Sequence, residues 1–185
     1  MRDEALRSGR LVFDYGQLAT LGGMPRGHAK VYASRLVRKG LAAKVANGII
    51  TFTEDPFLVA TQLVEPSYVS LNSALYLRGS VTQVPSVVEC VTTRTSTTIG
   101  WAKISYHRIV PPLMFGYERV ARYGGYLFAA TKEKAVLDMV YYGMTPRTEE
   151  LDLDEGKLRR MGRPYHTSGG QRGRRVVKWV KQRAQ

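Results

Sequence analysis

The stretch that decides the fold is "FDYGQLATLGGMPRGHAKVYASRLVRKGLAAKVANGIITF", residues 13–52. Its apolar spacing predicts two helices joined by a turn of a few residues, and "AAKVANGIITF" predicts a β-hairpin directly after them. Between Met24 and Gly48 there are six Lys or Arg residues and no Asp or Glu. Helix, turn, helix and hairpin in this order predict a winged helix-turn-helix with a basic second helix.

Residues that favour helix ends mark both helices. Asp14 can accept hydrogen bonds from the first turn of a helix over about residues 15–21. Gly22-Gly23 ends that helix, because glycine adopts the left-handed conformation that a helix exit often needs. The second helix is expected to begin near Pro25 and to end before Gly40.

The second helix and the hairpin supply the candidate DNA contacts. Ala29, Tyr32, Ala33 and Leu36 follow helical spacing and form the inner stripe, and Asn47-Gly48 predicts the hairpin turn. Such a helix can enter the major groove of DNA, where Lys and Arg bind phosphates and shorter or forked side chains read base edges. The expected DNA-binding residues are Arg26, His28, Lys30, Ser34, Arg35, Arg38, Lys44 and Asn47. A solvated basic helix, or a winged helix that only docks proteins, is the plainer alternative.

The charge is concentrated at the two ends of the chain. Of the 185 residues, 1–54 contain nine Lys or Arg and four Asp or Glu, 55–156 contain nine and eleven, and 157–185 contain ten and none. The net charge of +13 favours a polyanionic partner. We expect a winged helix-turn-helix domain over 1–54 and a second domain over 55–185, of which 157–185 is a basic helical extension.

The middle of the chain predicts an α+β fold. Helical patterns cover about residues 56–64, 67–78 and 132–142, and β-rich runs cover 86–95, 99–110 and 125–130, without regular βαβ repeats. In the last helix Thr131 is the expected N-cap. Lys134 and Asp138 are four residues apart and are expected to pair on its surface, which contributes a few tenths of a kcal/mol.

Several segments together resemble a known family. The segments "EPSYVSLNSALYLRGSVTQVPSVVECVTT", "ISYHRI" and "LFAATKEKAVLDMVYY", with the N-terminal stretch, resemble the AbiEi family of type IV antitoxins and related transcriptional regulators over residues 13–142. The family more usually has a proline where Thr131 or Lys132 stands. The resemblance implies autorepression of a toxin–antitoxin operon through the winged helix. It also implies a C-terminal antitoxin-type domain that counteracts a nucleotidyltransferase-like toxin without a stable complex.

The last thirty residues match that family less clearly. "DEGKLRRMG" and "RRVVKWVKQRA" predict two helices, and "TSGGQRGRR", residues 167–175, is expected to be a flexible basic loop between them. A second basic surface is expected from Arg159, Arg160, Arg163, Arg172, Arg174, Arg175, Lys178 and Lys181. Two alternative functions are therefore an RNA-associated protein that uses this surface and a solitary winged-helix regulator without a toxin.

Other functional classes are disfavoured. Cys90 is the single cysteine, the three histidines lack ligand spacing, and no catalytic constellation accompanies the acidic residues, so we expect no enzyme, metal or cofactor. No apolar run approaches the ~18 residues of a membrane span, and no signal peptide is recognisable. We expect a cytoplasmic protein whose partners are double-stranded operator DNA with inverted half-sites and a toxin or its nucleic-acid target, with no membrane partner.

Overall fold

Two β-sheets and seven α-helices form an α+β fold in the computed structural model, which describes residues 4, 7–149 and 151–183. The helices are α1 (Tyr15–Leu21), α2 (Arg26–Arg38), α3 (Pro56–Leu63), α4 (Leu71–Leu77), α5 (Lys132–Tyr141), α6 (Glu155–Ser168) and α7 (Gly170–Arg183). The strands are β1 (Val12–Asp14), β2 (Ala43–Ala46), β3 (Ile49–Thr51), β4 (Ser67–Val69), β5 (Val88–Thr92), β6 (Thr97–Ile99), β7 (Ile104–Arg108), β8 (Tyr117–Arg122) and β9 (Gly125–Ala130). Two short 3-10 turns cover Gly100–Ala102 and Pro111–Leu113.

The N-terminal sheet is antiparallel and has the order β1-β3-β2. Asp14 caps α1 as expected: its carboxylate accepts a hydrogen bond from the Gln17 backbone N–H at 2.8 Å, and the Gln17 side-chain oxygen accepts one from the Asp14 N–H at 2.9 Å. This reciprocal capping box satisfies two N–H groups at the helix start. The predicted bounds of α1 and α2 and the hairpin turn at Asn47-Gly48 are confirmed.

The buried apolar residues fall into two clusters. The smaller one holds Phe13, Leu18, Ala29, Ala33, Leu36 and Ile50, so most of the predicted inner stripe of α2 is buried and Tyr32 is partly buried. The larger cluster surrounds the second sheet, and it also includes Leu11, Val12 and Val45 from the N-terminal part. The division at residues 54 and 55 stays a prediction, since apolar packing continues across it.

Gln62 joins the two parts through hydrogen bonds. This side chain of α3 is 3% exposed, and its oxygen accepts from the Leu11 N–H at 2.7 Å and the Val12 N–H at 3.3 Å. Its amide nitrogen donates to the Tyr126 carbonyl of β9 at 2.8 Å. Gln62 therefore satisfies backbone groups on both sheets at once, and buried backbone groups need such partners.

The second sheet has six strands in the order β6-β7-β5-β4-β9-β8, with parallel pairs β4–β9 and β5–β7. Neighbouring residues of β7 point to opposite faces. The Tyr106 hydroxyl donates to the Ala60 carbonyl of α3 at 2.7 Å, whereas the His107 ring lies 5.1 Å from the ring of Tyr142, next to α5. Helix α3 thus covers one face, and the end of α5 lies on the other. The predicted helix over 67–78 begins only at Leu71, because residues 67–69 form the buried strand β4.

Lys134 and Asp138 pair as expected, but the expected surface position of the pair is wrong, because both side chains are fully buried. The Lys134 Nζ lies 2.6 Å from Asp138 Oδ1, and it also donates to the Leu113 carbonyl at 2.9 Å and to the Tyr165 hydroxyl at 2.7 Å. All three ammonium protons therefore have acceptors. Burial lowers the pKa of Lys134, and the neighbouring Asp138 carboxylate opposes that shift.

The Asp138 carboxylate is equally well satisfied. Its Oδ2 accepts from the Tyr68 hydroxyl at 3.0 Å and from the Ser70 hydroxyl at 2.8 Å, and Tyr165 lies within hydrogen-bond distance of Oδ1 at 3.1 Å. Helix α5 is buried from Glu133 to Tyr141, because α6 and α7 pack on the side that the sequence pattern assigned to solvent.

The expected flexible loop over residues 167–175 is also wrong. Helix α6 continues to Ser168, and α7 begins at Gly170, so Gly169 alone separates them. A Cβ atom on Gly169 would lie 2.6 Å from the Tyr165 carbonyl oxygen, and one on Gly173 would collide with the same oxygen. These glycines allow two helix backbones to approach closely rather than supplying flexibility.

Removing the cation of the buried pair should be costly. We expect Lys134→Met to lower the free energy of unfolding by about 3–5 kcal/mol, because it leaves the Asp138 carboxylate buried without its counter-charge. The partly exposed Lys132, whose Nζ lies 3.9 Å from Asp152, provides the control, and Lys132→Met should lower the free energy of unfolding by less than about 1 kcal/mol. Urea unfolding measures both. The double variant Lys134→Met/Asp138→Leu should lose less free energy of unfolding than the two single variants lose together. If Lys134→Met lost no more stability than Lys132→Met, the buried pairing would be contradicted.

Two helical glycines should respond oppositely to alanine. Gly173→Ala should destabilise the protein by about 1–3 kcal/mol, because the added methyl group meets the α6 backbone. Gly27 lies in α2, and apart from the adjoining backbone of that helix no atom lies within 4 Å of its Cβ position, so Gly27→Ala should stabilise by about 0.5–1 kcal/mol. Thermal unfolding of both variants checks this. A midpoint that rises for Gly173→Ala would show that the close approach of α6 and α7 is absent.

Candidate nucleic-acid interface

The outer face of α2 is basic and exposed. All six residues predicted there are exposed: Arg26, His28, Lys30, Ser34, Arg35 and Arg38. At about 100° per residue, Ser34, Arg35 and Arg38 lie opposite the buried stripe, and Arg26 and Lys30 lie toward one flank. The helix thus presents a mainly polar, cationic face to solvent and buries the opposite face against the smaller apolar cluster.

The cations of α2 have no acidic neighbours. Within the described residues no carboxylate lies within 4.0 Å of Arg26, Lys30, Arg35 or Arg38. Other arginines do pair: Arg10 with Glu65 at 3.2 Å and Arg78 with Glu118 at 2.6 Å. Unpaired cations on one helix face produce a positive potential that attracts polyanions.

Val31 is a member of this face that the sequence reasoning missed. It is 51% exposed, and helical geometry places it near the middle of the outer face, between Ser34 and Arg35 in angle. An exposed apolar side chain there can contact the methyl group of thymine in a major groove. The sequence did contain an indication of this exposure, because Val31 is an apolar residue that does not fit the 3–4 spacing of the buried stripe.

The two hairpin residues form a separate group. Lys44 on β2 and Asn47 in the turn are both exposed. The turn lies beside α1, since the Tyr15 ring is 3.9 Å from where a Cβ of Gly48 would stand. The register between β2 and β3 shifts between Lys44 and Ala46. Such an irregularity interrupts the regular hydrogen-bond pattern between two strands and changes the direction of nearby side chains, here next to Lys44.

The predicted second basic surface is exposed but is not one surface. All eight residues are exposed: Arg159, Arg160, Arg163, Arg172, Arg174, Arg175, Lys178 and Lys181. No described carboxylate lies within 4.0 Å of any of them, whereas Lys157 pairs with Glu133 at 2.7 Å and Arg183 with Glu155 at 2.6 Å.

Four of these eight cations line two different grooves. Arg174, Lys178 and Lys181 line a groove of about 660 Å³ together with His166 of α6. Arg172 instead lines a groove of about 320 Å³ with Arg108, a residue that the sequence reasoning did not select. Only the chain topology brings Arg108 and Arg172 together, so no local sequence signal could have indicated that pairing.

Among the described residues, no group of three or more His, Cys, Asp or Glu side chains is placed to hold a metal ion. No helix in the described ranges has the length and apolar character needed to cross a membrane.

Comparisons with known proteins bear on the fold alone. No family model matches the chain, and no curated protein matches it. Among solved structures, the chain is similar to the RV2827C protein from Mycobacterium tuberculosis, with 14% sequence identity and a TM-score of 0.53. That similarity covers 96% of this chain and 79% of the other. At this identity it shows a shared fold and says nothing of shared activity.

Proposed function

We propose that this chain is a DNA-binding transcriptional regulator in which residues 1–54 form a winged helix-turn-helix and α2 is the recognition helix. The observation that carries the proposal is the outer face of α2, where the cations are exposed and have no carboxylate within 4.0 Å in the described chain. A solvated surface helix more often has interspersed acids, and residues 24–48 contain none.

The contacts follow from the chemistry of the face. Helix α2 has 13 residues and is about 20 Å long, and a helix fits a major groove about 12 Å wide. Lys30, Arg35 and Arg38 would bind phosphates, and the hairpin residue Lys44 would bind the adjacent backbone. Arg26, His28, Ser34 and the exposed Val31 are the candidates for base contacts.

The resemblance to AbiEi antitoxins extends the proposal to the biological role. We infer that the chain represses its own operon by binding inverted half-sites, and that residues 55–185 counteract a nucleotidyltransferase-like toxin. What supports this inference is the sequence resemblance over residues 13–142. A winged-helix regulator without a toxin partner would use the same DNA contacts.

DNA binding can be measured with a labelled duplex from just upstream of the protein's gene. At ~150 mM salt, the upstream duplex should bind at least ~100-fold more tightly than a scrambled duplex. The variant Arg26→Gln/Lys30→Gln/Arg38→Gln should bind at least ~100-fold more weakly, and the slope of log K against log salt should become shallower by up to ~3. Fluorescence anisotropy over a salt series gives both values.

A charge-matched control separates local contacts from a general field. Arg94→Gln/Lys103→Gln/Arg119→Gln removes two Arg and one Lys from exposed positions outside α2 and should leave binding within about 3-fold. Recognition by α2 would be contradicted if both triple variants lost the same affinity for the duplex, or if the wild type did not prefer the upstream duplex over the scrambled one.

A second candidate function is RNA binding by the C-terminal helices. The groove with Arg174, Lys178, Lys181 and His166 favours it, because the three unpaired cations lie on one side of α7. If it is correct, Arg174→Gln/Lys178→Gln/Lys181→Gln should weaken binding of a structured RNA hairpin at least ~10-fold at ~150 mM salt. The same variant should keep its affinity for the upstream duplex. A filter-binding assay on both ligands checks this, and unchanged RNA affinity would exclude the RNA candidate.

A further inference from the structure

A small cationic groove lies where the six-stranded sheet meets the C-terminal helices. Its volume is about 320 Å³. Its walls come from the end of β7, the last residue of α5 and the first turn of α7. The lining residues are Ser96, Arg108, Ile109, Val110, Tyr141 and Arg172. These segments are distant in sequence, so the fold itself assembles the groove.

The two arginines of this groove have no counter-charge in the described part of the chain. Neither Arg108 nor Arg172 has a carboxylate within 4.0 Å there. The Arg172 guanidinium lies 5.8 Å from the ring centre of Tyr141 and 5.9 Å from that of Tyr142. The two positive charges around this groove repel each other, and a bound anion would offset that electrostatic repulsion.

The groove also presents hydroxyl groups. The Ser96 oxygen accepts a hydrogen bond from the Arg108 backbone N–H at 2.9 Å, which leaves its own proton free to donate. Tyr141 also lines the groove, and its hydroxyl has no hydrogen bond to a described residue. Solvent reaches this oxygen, so the hydroxyl is available to donate to a ligand in the groove.

The walls of the groove are held in place by the surrounding structure. The Tyr142 hydroxyl lies 3.0 Å from the Arg108 carbonyl and 3.3 Å from the His107 carbonyl, so it can donate to either and joins the end of α5 to β7. The close approach at Gly173 holds the first turn of α7 against α6. Binding would therefore require little reorganisation of the backbone.

We propose that this groove binds the phosphate group of a nucleotide. Guanidinium groups bind phosphate oxygens in a bidentate geometry, and the Ser96 and Tyr141 hydroxyls add two donors. The groove is at the lower end of the ~300–1,000 Å³ range of ligand sites, which suits one phosphate and part of its nucleoside. The phosphate can belong to a free nucleotide or to the end of a nucleic-acid strand. The site is separate from α2, so it does not depend on DNA recognition by that helix.

A purely structural role for Arg172 predicts different behaviour. Near the C-terminus of α5, an arginine can stabilise the negative end of the helix dipole. In that case Arg172→Gln would lower the free energy of unfolding and leave phosphate binding unchanged. Measuring stability and binding on the same variant therefore separates the two roles.

The full-length protein can be titrated by calorimetry with AMP, adenosine and inorganic phosphate. AMP should bind, and adenosine should not. Arg108→Gln and Arg172→Gln should each weaken AMP binding at least ~10-fold, and Tyr141→Phe should weaken it by about 3- to 10-fold because it removes one hydrogen bond to a charged group. Arg147→Gln, an exposed arginine without a carboxylate within 4.0 Å in the described chain, is the matched control and should bind AMP like the wild type.

A short single-stranded oligonucleotide with and without a 5′-phosphate identifies the source of the phosphate. Tighter binding of the phosphorylated strand than of the same strand without its 5′-phosphate, lost in Arg108→Gln and Arg172→Gln, supports the proposal with a strand end as ligand. AMP binding that neither strand competes with supports it with a free nucleotide as ligand. Three results would overturn the proposal: a wild-type Kd for AMP weaker than about 1 mM, an unchanged AMP affinity in both arginine variants, or a loss of AMP affinity in Arg147→Gln as large as in those variants.

Discussion

The buried ion pair of Lys134 and Asp138 determines how the C-terminal half is arranged. Through Tyr68 and Ser70 it contacts the sheet and the loop after β4, and through Tyr165 it contacts α6. Burying a charged pair has a large desolvation free energy, which is offset only when the two charges are in close contact and all their hydrogen bonds are made. Because each proton and each carboxylate oxygen has its partner here, α6 can dock in one position. That position fixes α7 and with it the two C-terminal grooves.

The sequence could predict features that local chemistry determines. Asp14 and Thr131 cap their helices because each places an acceptor side chain directly before a helical run. Asn47-Gly48 forms the hairpin turn, and within this pair Gly48 alone adopts a positive φ, of 76°. The exposure of the α2 cations followed equally from helical spacing. By contrast, a Lys and an Asp four residues apart look the same whether the helix face is solvated or buried. Their burial depends on α6 and α7, which follow later in the chain.

The candidate sites show the same division. The α2 face could be predicted almost residue by residue, except for Val31, since one helix carries it. The groove between Arg108 and Arg172 could not be predicted, because it depends on how the end of β7 meets the start of α7. Glycines in residues 167–175 suggested flexibility, yet Gly169 and Gly173 allow close helix contact. Composition cannot distinguish these two uses of glycine.

In the proposed regulator, the outer face of α2 and the hairpin of β2 and β3 contact DNA. Lysine acetylation of the full-length protein, read by mass spectrometry with and without the upstream duplex, tests it most directly. All lysines concerned are exposed. If α2 and the hairpin bind DNA, the duplex should protect Lys30 and Lys44 and should leave Lys103 as reactive as in the free protein. Unchanged reactivity of Lys30 and Lys44 in a saturated complex, with protection at Lys178 and Lys181 instead, would contradict it.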